Sequence, residues 1–163
     1  MSDLFLYLYF VFCRMKLEDE IVQSKFKSEF EKALINIIYT YNWLSPMNME
    51  VYTLNDISPQ QYNILRILRG QHPNSASVKL LRERMLDKNS DTSRLVDRLF
   101  KKKLVERTEN KMDRRLTDVK ISTKGLKLLD KLNAEMTPPE DILKGITATE
   151  AKQLNALLDK CRG

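Results

Sequence analysis

The sequence predicts a mainly helical chain that carries one small β-hairpin, with helical regions from both termini around a compact middle. Three observations predict it. The 163 residues are 42% hydrophobic and 31% charged with only 4 Gly and 5 Pro, a composition that suits a helix-rich globular chain better than a β-sandwich or a disordered one. Apolar residues recur at helical spacing in several runs, most of them opened by a Ser or Thr that can cap a helix. Two short runs read instead as strand, and the stretch between them is polar and charged. A chain of this length supports one domain with a hydrophobic core, so one cooperative unit is expected.

Leu4 to Cys13 is an apolar run of ten residues with an acidic Asp3 ahead of it and no small-residue cleavage site behind it. A membrane span needs about 20 apolar residues and a signal peptide wants a basic start, so neither is expected. Two origins stay open for residues 1–15: translation from an upstream start codon, or a short extra helix packing on a partner. Val22, Phe26, Ala33, Ile37 and Tyr41, thickened by Phe30, Leu34 and Ile38, then predict a first helix from about Glu18 to Asn42. Pro46 and the lack of period between Trp43 and Asp56 predict a bend or restart there.

Ser58-Pro59-Gln60-Gln61 is a capping box with proline at the first helical position. The helix it opens runs through Tyr62, Leu65 and Leu68 and stops at Gly70, leaving His72-Pro73-Asn74 as a turn. Ser77 caps a short third helix with Val78, Leu81 and Met85 inward. After the turn Asp87-Lys88-Asn89, Ser90 is expected to cap a fourth, with Leu95, Val96, Leu99 and Phe100 inward and Asp91, Arg94, Arg98 and Lys101 or Lys102 on the opposite face. Short helix, turn and capped basic helix is the helix-turn-helix order. Leu104 to Arg107 and Thr117 to Ile121 read as strands, and Thr108 to Leu116 as the long loop of a hairpin, a wing. Ser122 caps a helix through Leu126, Leu129 and Leu132 that must break at Thr137-Pro138-Pro139. A last helix starts at the capping box Thr147-Ala148-Thr149-Glu150, with Leu154, Leu157, Leu158 and Cys161 as its stripe.

The formal net charge is +6, and its location says more than its size. Lys79 to Arg115 holds 13 Lys or Arg against 7 Asp or Glu, while the rest of the chain holds 15 of each sign. The whole surplus therefore lies on the helix-turn-helix and wing, which points to a polyanion partner. With one histidine, no glycine-rich phosphate loop, no Cys/His cluster and no recognisable carboxylate pair, no catalytic constellation can be assembled, and neither enzyme activity, cofactor nor metal is expected. Cys13 and Cys161 are far apart without Cys-x-x-Cys spacing, which predicts neither zinc nor a disulfide framework and suits a reducing cytoplasm. Cys161 reads as an inert thiol near a helix end before it reads as an oxidation sensor.

From Ser58 onward the chain resembles the MarR family of winged-helix transcriptional regulators, most closely between Ile57 and Leu128. Three ordered pieces carry the resemblance: Ile57-Ser58-Pro59-Gln60-Gln61-Tyr62; Ser93-Arg94-Leu95-Val96-Asp97-Arg98-Leu99 followed by Leu104-Val105-Glu106-Arg107; and Asp113-Arg114-Arg115 followed by Val119-Lys120-Ile121-Ser122-Thr123-Lys124-Gly125. Two departures stand out. Lys103 replaces the glycine that usually ends the family's recognition helix, so that end must do without its preferred left-handed residue or be closed by the Lys102 or Lys103 side chain. Thr108 to Met112 replaces a proline-containing stretch of the wing loop.

The winged-helix pattern places the start of the fourth helix in the major groove of double-stranded DNA, with Ser90, Thr92, Ser93, Arg94, Arg98 and Lys101 in reach of bases or phosphates. Arg115 is expected in the minor groove and Arg114 at a phosphate, with Asp113 holding a neighbouring guanidinium by paired hydrogen bonds, a role that the resemblance also implies. Residues 16–57 and 123–163 are expected to supply dimerisation helices around a DNA-binding region at 58–122. A homodimer implies a palindromic operator with half-site centres about 10 base pairs apart. The resemblance, together with Tyr39, Tyr41 and Trp43, implies a small aromatic or apolar effector that releases a repressor. The other reading is a winged-helix protein–protein interaction module whose basic face meets an acidic partner.

Overall fold

The computed structural model describes residues 16–109 and 117–163, which form two compact units, one ending at Met47 and one starting at Asn48. The apolar run Leu4–Cys13 and the wing residues Asp113, Arg114 and Arg115 lie outside the described residues.

In the first unit the single helix expected from Glu18 to Asn42 is two helices, α1 (Leu17–Glu20) and α2 (Glu29–Leu44). The apolar period runs across the break, but local hydrogen bonding does not. Val22 adopts a left-handed φ of 53° and is almost fully exposed. Ser28 then starts α2 afresh: its hydroxyl accepts from the Glu31 N–H at 3.2 Å, while the Glu31 carboxylate accepts from the Lys27 N–H at 2.5 Å. α1 lies beside α2, tied by Lys32 to Glu18 and by the Tyr39 hydroxyl, which donates to Glu20 at 2.7 Å. The Lys32 hydrogen bond holds the Glu18 carboxyl below its ordinary value, and the Glu18 carboxylate in turn raises the Lys32 ammonium. No residue of α2 is buried, and Phe30, Leu34, Ile37, Ile38 and Tyr41 form an exposed apolar face.

The second unit opens with the restart expected after Pro46, α3 (Met49–Leu54). α4 (Pro59–Arg69) begins at the capping box read from sequence: the Gln61 N–H donates to the Ser58 hydroxyl at 3.2 Å, and the Ser58 N–H donates to the Gln61 side chain at 3.0 Å. Then come α5 (Val78–Arg84), α6 (Thr92–Lys101), the strands β2 (Val105–Glu109) and β3 (Thr117–Ile121), and the helices α7 (Thr123–Glu135), α8 (Pro139–Ile142) and α9 (Ala148–Arg162). A two-residue strand β1 (Ala76–Ser77) precedes α5 and completes an antiparallel sheet of order β1-β3-β2. Sequence reasoning missed it, because two residues cannot show an alternation. Ala76 faces Val119 and is buried, whereas Ser77 ends the strand and caps α5 through the Leu80 N–H.

One contiguous core holds α3 to α7 and the sheet together. Ile64, Leu65 and Leu68 of α4 meet Leu81 and Met85 from the α5 side, Val96 and Leu99 of α6, Val119 and Ile121 of β3, and Leu129 and Leu132 of α7. All are buried, so burial of apolar surface fixes where α6 sits. Gly125 permits the tightest approach: an added Cβ would lie 2.2 Å from the Leu104 carbonyl oxygen. Leu154 and Leu157 of α9, expected as a stripe, are exposed.

Candidate nucleic-acid interface

The turn between α5 and α6 is built by side-chain hydrogen bonds. The Asp87 carboxylate accepts from the Ser90 hydroxyl at 2.8 Å and from the Asn89 N–H at 3.0 Å, and both hold its carboxyl below the ordinary 3.8. The Leu86 N–H donates to the Asn63 side chain at 3.0 Å, which anchors the turn to α4. Asp91, not Ser90, is the N-cap: its carboxylate accepts from the Arg94 N–H at 3.1 Å. A carboxylate at this end also meets the positive pole of the helix, which favours it over a hydroxyl one residue earlier.

This shift of one residue corrects part of the expected interface. Thr92 is buried, with 1% of its surface exposed, so its side chain is out of reach of a partner. The Ser90 hydroxyl donates to Asp87 within the turn, which leaves its acceptor lone pairs available. Ser93, Arg94, Arg98 and Lys101 are all exposed, and at positions i, i+4 and i+7 Arg94, Arg98 and Lys101 share one face. Arg94 pairs with Asp91 at 3.2 Å in an arrangement open to solvent, which costs little to exchange for another anion. Among the described residues no ion pair engages Arg98 or Lys101.

The far end of α6 shows how the chain does without the usual glycine. Lys103 itself takes the left-handed conformation, with φ of 61°. The Leu104 N–H donates to Leu99 O at 3.0 Å and the Lys103 N–H to Phe100 O at 2.9 Å, the two bonds of a Schellman motif, closed by the apolar pair Leu99 and Leu104. The chain enters β2 directly after it. The Ser122 hydroxyl donates to Lys103 O at 2.8 Å, and Lys124 Nζ donates to Lys102 O at 3.0 Å, so α7 grips the same corner.

Phe100, expected inward, is 45% exposed. Val96 and Leu99 fill the core-facing side of α6, and Phe100 falls at its edge, under the Arg107 guanidinium of β2. Arg107 also pairs with Asp97. Sequence reasoning did not single out Arg107 or Asp97 as a pair, since nothing in their spacing announces a contact between helix and strand.

A helix-turn-helix with a hairpin against its second helix defines a winged-helix protein. The chain belongs to the MarR family of winged-helix transcription regulators: the MarR family model matches residues 55–116, and a MarR transcription factor from Planctomyces limnophilus is 30% identical, with 83% of this chain and 98% of that one covered at a TM-score of 0.59. Wild-type MarR from E. coli in its apo form is 25% identical, covering 78% of this chain and 96% of that one at a TM-score of 0.59. A cysteine-to-serine mutant of E. coli MarR complexed with operator DNA shares the fold at 24% identity, over 90% of this chain and 99% of that one, with a TM-score of 0.65. No curated protein matches the chain. Among the described residues no group of three or more His, Cys, Asp or Glu is placed to hold a metal, and no helix is long and apolar enough to cross a membrane.

Proposed function

We propose that this chain is a repressor that binds palindromic operator DNA as a homodimer and is released by a small aromatic or apolar effector. The observation that carries the DNA-binding part is the exposed face of α6, where Ser93, Arg94, Arg98 and Lys101 stand on a helix whose other side is locked into the core through Val96 and Leu99. α6 enters the major groove. Arg98 pairs with base edges, Arg94 exchanges Asp91 for a phosphate or a base, and Ser93 and Lys101 position the backbone. Arg115 is the minor-groove residue, Arg114 the phosphate contact, and Asp113 the residue that holds a neighbouring guanidinium by paired hydrogen bonds. Support comes also from the E. coli MarR mutant, which shares the fold and was crystallised with operator DNA.

The dimer is supported by the apolar faces left exposed on α2 and α9. A monomer leaving Phe30, Leu34, Tyr41, Leu154 and Leu157 in water would be an aggregation hazard, whereas a symmetric partner buries them. Residues 16–57 and 123–163 supply that interface around the DNA-binding region 58–122. The effector acts by preferring a dimer whose two recognition helices are wrongly spaced, and its differential affinity limits the switch. Binding of unrelated duplexes at fixed salt tests the central reading. Discrimination between sequences supports it, and equal affinity for all of them moves the reading to a basic face that meets an acidic protein. A panel of aromatic acids that shifts neither operator affinity nor thermal stability removes the effector.

A further inference from the structure

We propose that Arg107 is a positioning residue that fixes the angle between the recognition helix α6 and the hairpin, and that operator discrimination depends on that angle; the DNA part of this inference rests on the function proposed above. Arg107 stands in the middle of β2, facing Val119 of β3, with Glu106 facing Lys120 on one side and Thr108 facing Asp118 on the other. Its side chain leaves the sheet and grips α6 at two points. Nη2 donates to Oδ1 of Asp97, and the guanidinium carbon lies 4.9 Å from the centroid of the Phe100 ring.

Asp97 and Phe100 are three residues apart, neighbours on one face of the helix. A single anchor leaves the long arginine stem free to swing about it. Two anchors, one a charge-assisted hydrogen bond and the other a ring face under the guanidinium, restrict that swing from two sides. Phe100 is half-exposed rather than core-filling, so this aromatic ring is placed where the core does not need it and where its face receives a cation. The backbone joins α6 to β2 only at the Lys102–Leu104 corner. The core side chains Val96, Leu99 and Val105 seat one side of α6 on the sheet, and the grip of Arg107, within about one and a half turns of the helix end, ties its exposed edge, so the helix is held on two sides. Asp97 compensates the arginine's charge and the Phe100 ring covers the guanidinium, so this pair is less open to exchange for a phosphate than the Arg94–Asp91 pair.

The test uses the full chain, first without DNA. Arg107→Met keeps the stem and removes the guanidinium; the charge-swapped pair Asp97→Arg with Arg107→Asp restores the bridge. Hydrogen exchange of the Val105–Glu109 and Thr117–Ile121 amides is expected to rise about tenfold relative to the α4 amides in Arg107→Met, with partial recovery in the swapped pair. With DNA, the ratio of specific to non-specific affinity is expected to fall about tenfold, the scale of one lost base-pair contact, with the slope of log affinity against log salt unchanged. Hairpin exchange that stays at the wild-type ratio overturns the clamp whatever the DNA shows. A uniform loss of affinity with the slope reduced by about one makes Arg107 a phosphate contact and overturns the positioning role. A wild-type chain that does not discriminate between sequences overturns the proposed function instead, while the exchange data still decide the clamp.

Discussion

Lys103 is the residue whose backbone conflicts most openly with its side chain. A non-glycine residue in the left-handed region costs about 1 kcal/mol, and here the cost is offset by the two Schellman bonds and the Leu99–Leu104 contact. Lys103→Gly is therefore expected to stabilise the chain by about 1 kcal/mol in denaturant unfolding; no gain would mean that the αL geometry is not strained by lysine. Gly125 presents the opposite case. Gly125→Ala forces a methyl against the Leu104 carbonyl, and should cost about 2 kcal/mol in the same experiment. The sequence showed that Lys103 stood at a special position, but neither expected outcome, an end without the left-handed residue or closure by the Lys102 or Lys103 side chain, is what forms: Lys103 itself is left-handed. The Lys102 ammonium is engaged by Asp56 instead of the helix end, and the Ser122 hydroxyl and Lys124 reach the carbonyls of Lys103 and Lys102.

At the scale of elements, most helix starts were legible because capping is local. Ser58, Ser77, Ser122 and Thr147 each cap the helix predicted for them, through hydrogen bonds that need no distant residue. Failures came where two local signals competed. Ser90 and Asp91 are both good caps, and Asp87 took the serine. Across residues 21–28 the apolar period continued, but Ser28 and Glu31 offered a better helix start than Val22 offered a continuation. Asp87 yields a pH prediction. Its carboxyl is held below the ordinary value in the folded state, so its contribution is present above the unfolded value and is lost as pH falls through the folded one. Thermal unfolding of Asp87→Asn should thus fall below wild type near neutrality, with the gap closing under acid; a gap constant with pH would remove the linkage. Asp91→Ala should cost about 1 kcal/mol as a lost N-cap.

At the scale of the whole molecule, the position of the charge surplus and the order of elements were readable from the sequence, since neither depends on side-chain geometry. The helix–hairpin contact through Arg107, Asp97 and Phe100 was not, because it joins residues on different elements without a periodic signature. The apolar stripes of α2 and α9 were legible in the sequence, and burial added that both are exposed in the single chain. They lead to a prediction about assembly. Sedimentation at micromolar concentration should show a dimer, and Leu157→Glu should shift it to a folded monomer with weakened DNA binding; a wild-type monomer would contradict the proposed interface.

The most direct test of the central claim is selection of bound genomic fragments by the purified chain at about 150 mM salt, where non-specific affinity is weakened by counterion competition, alongside Arg98→Ala and Arg115→Ala. The account predicts an enriched palindrome with half-site centres about 10 base pairs apart, lost or weakened by either substitution. Sequence-blind recovery of fragments, unchanged by both, would contradict it.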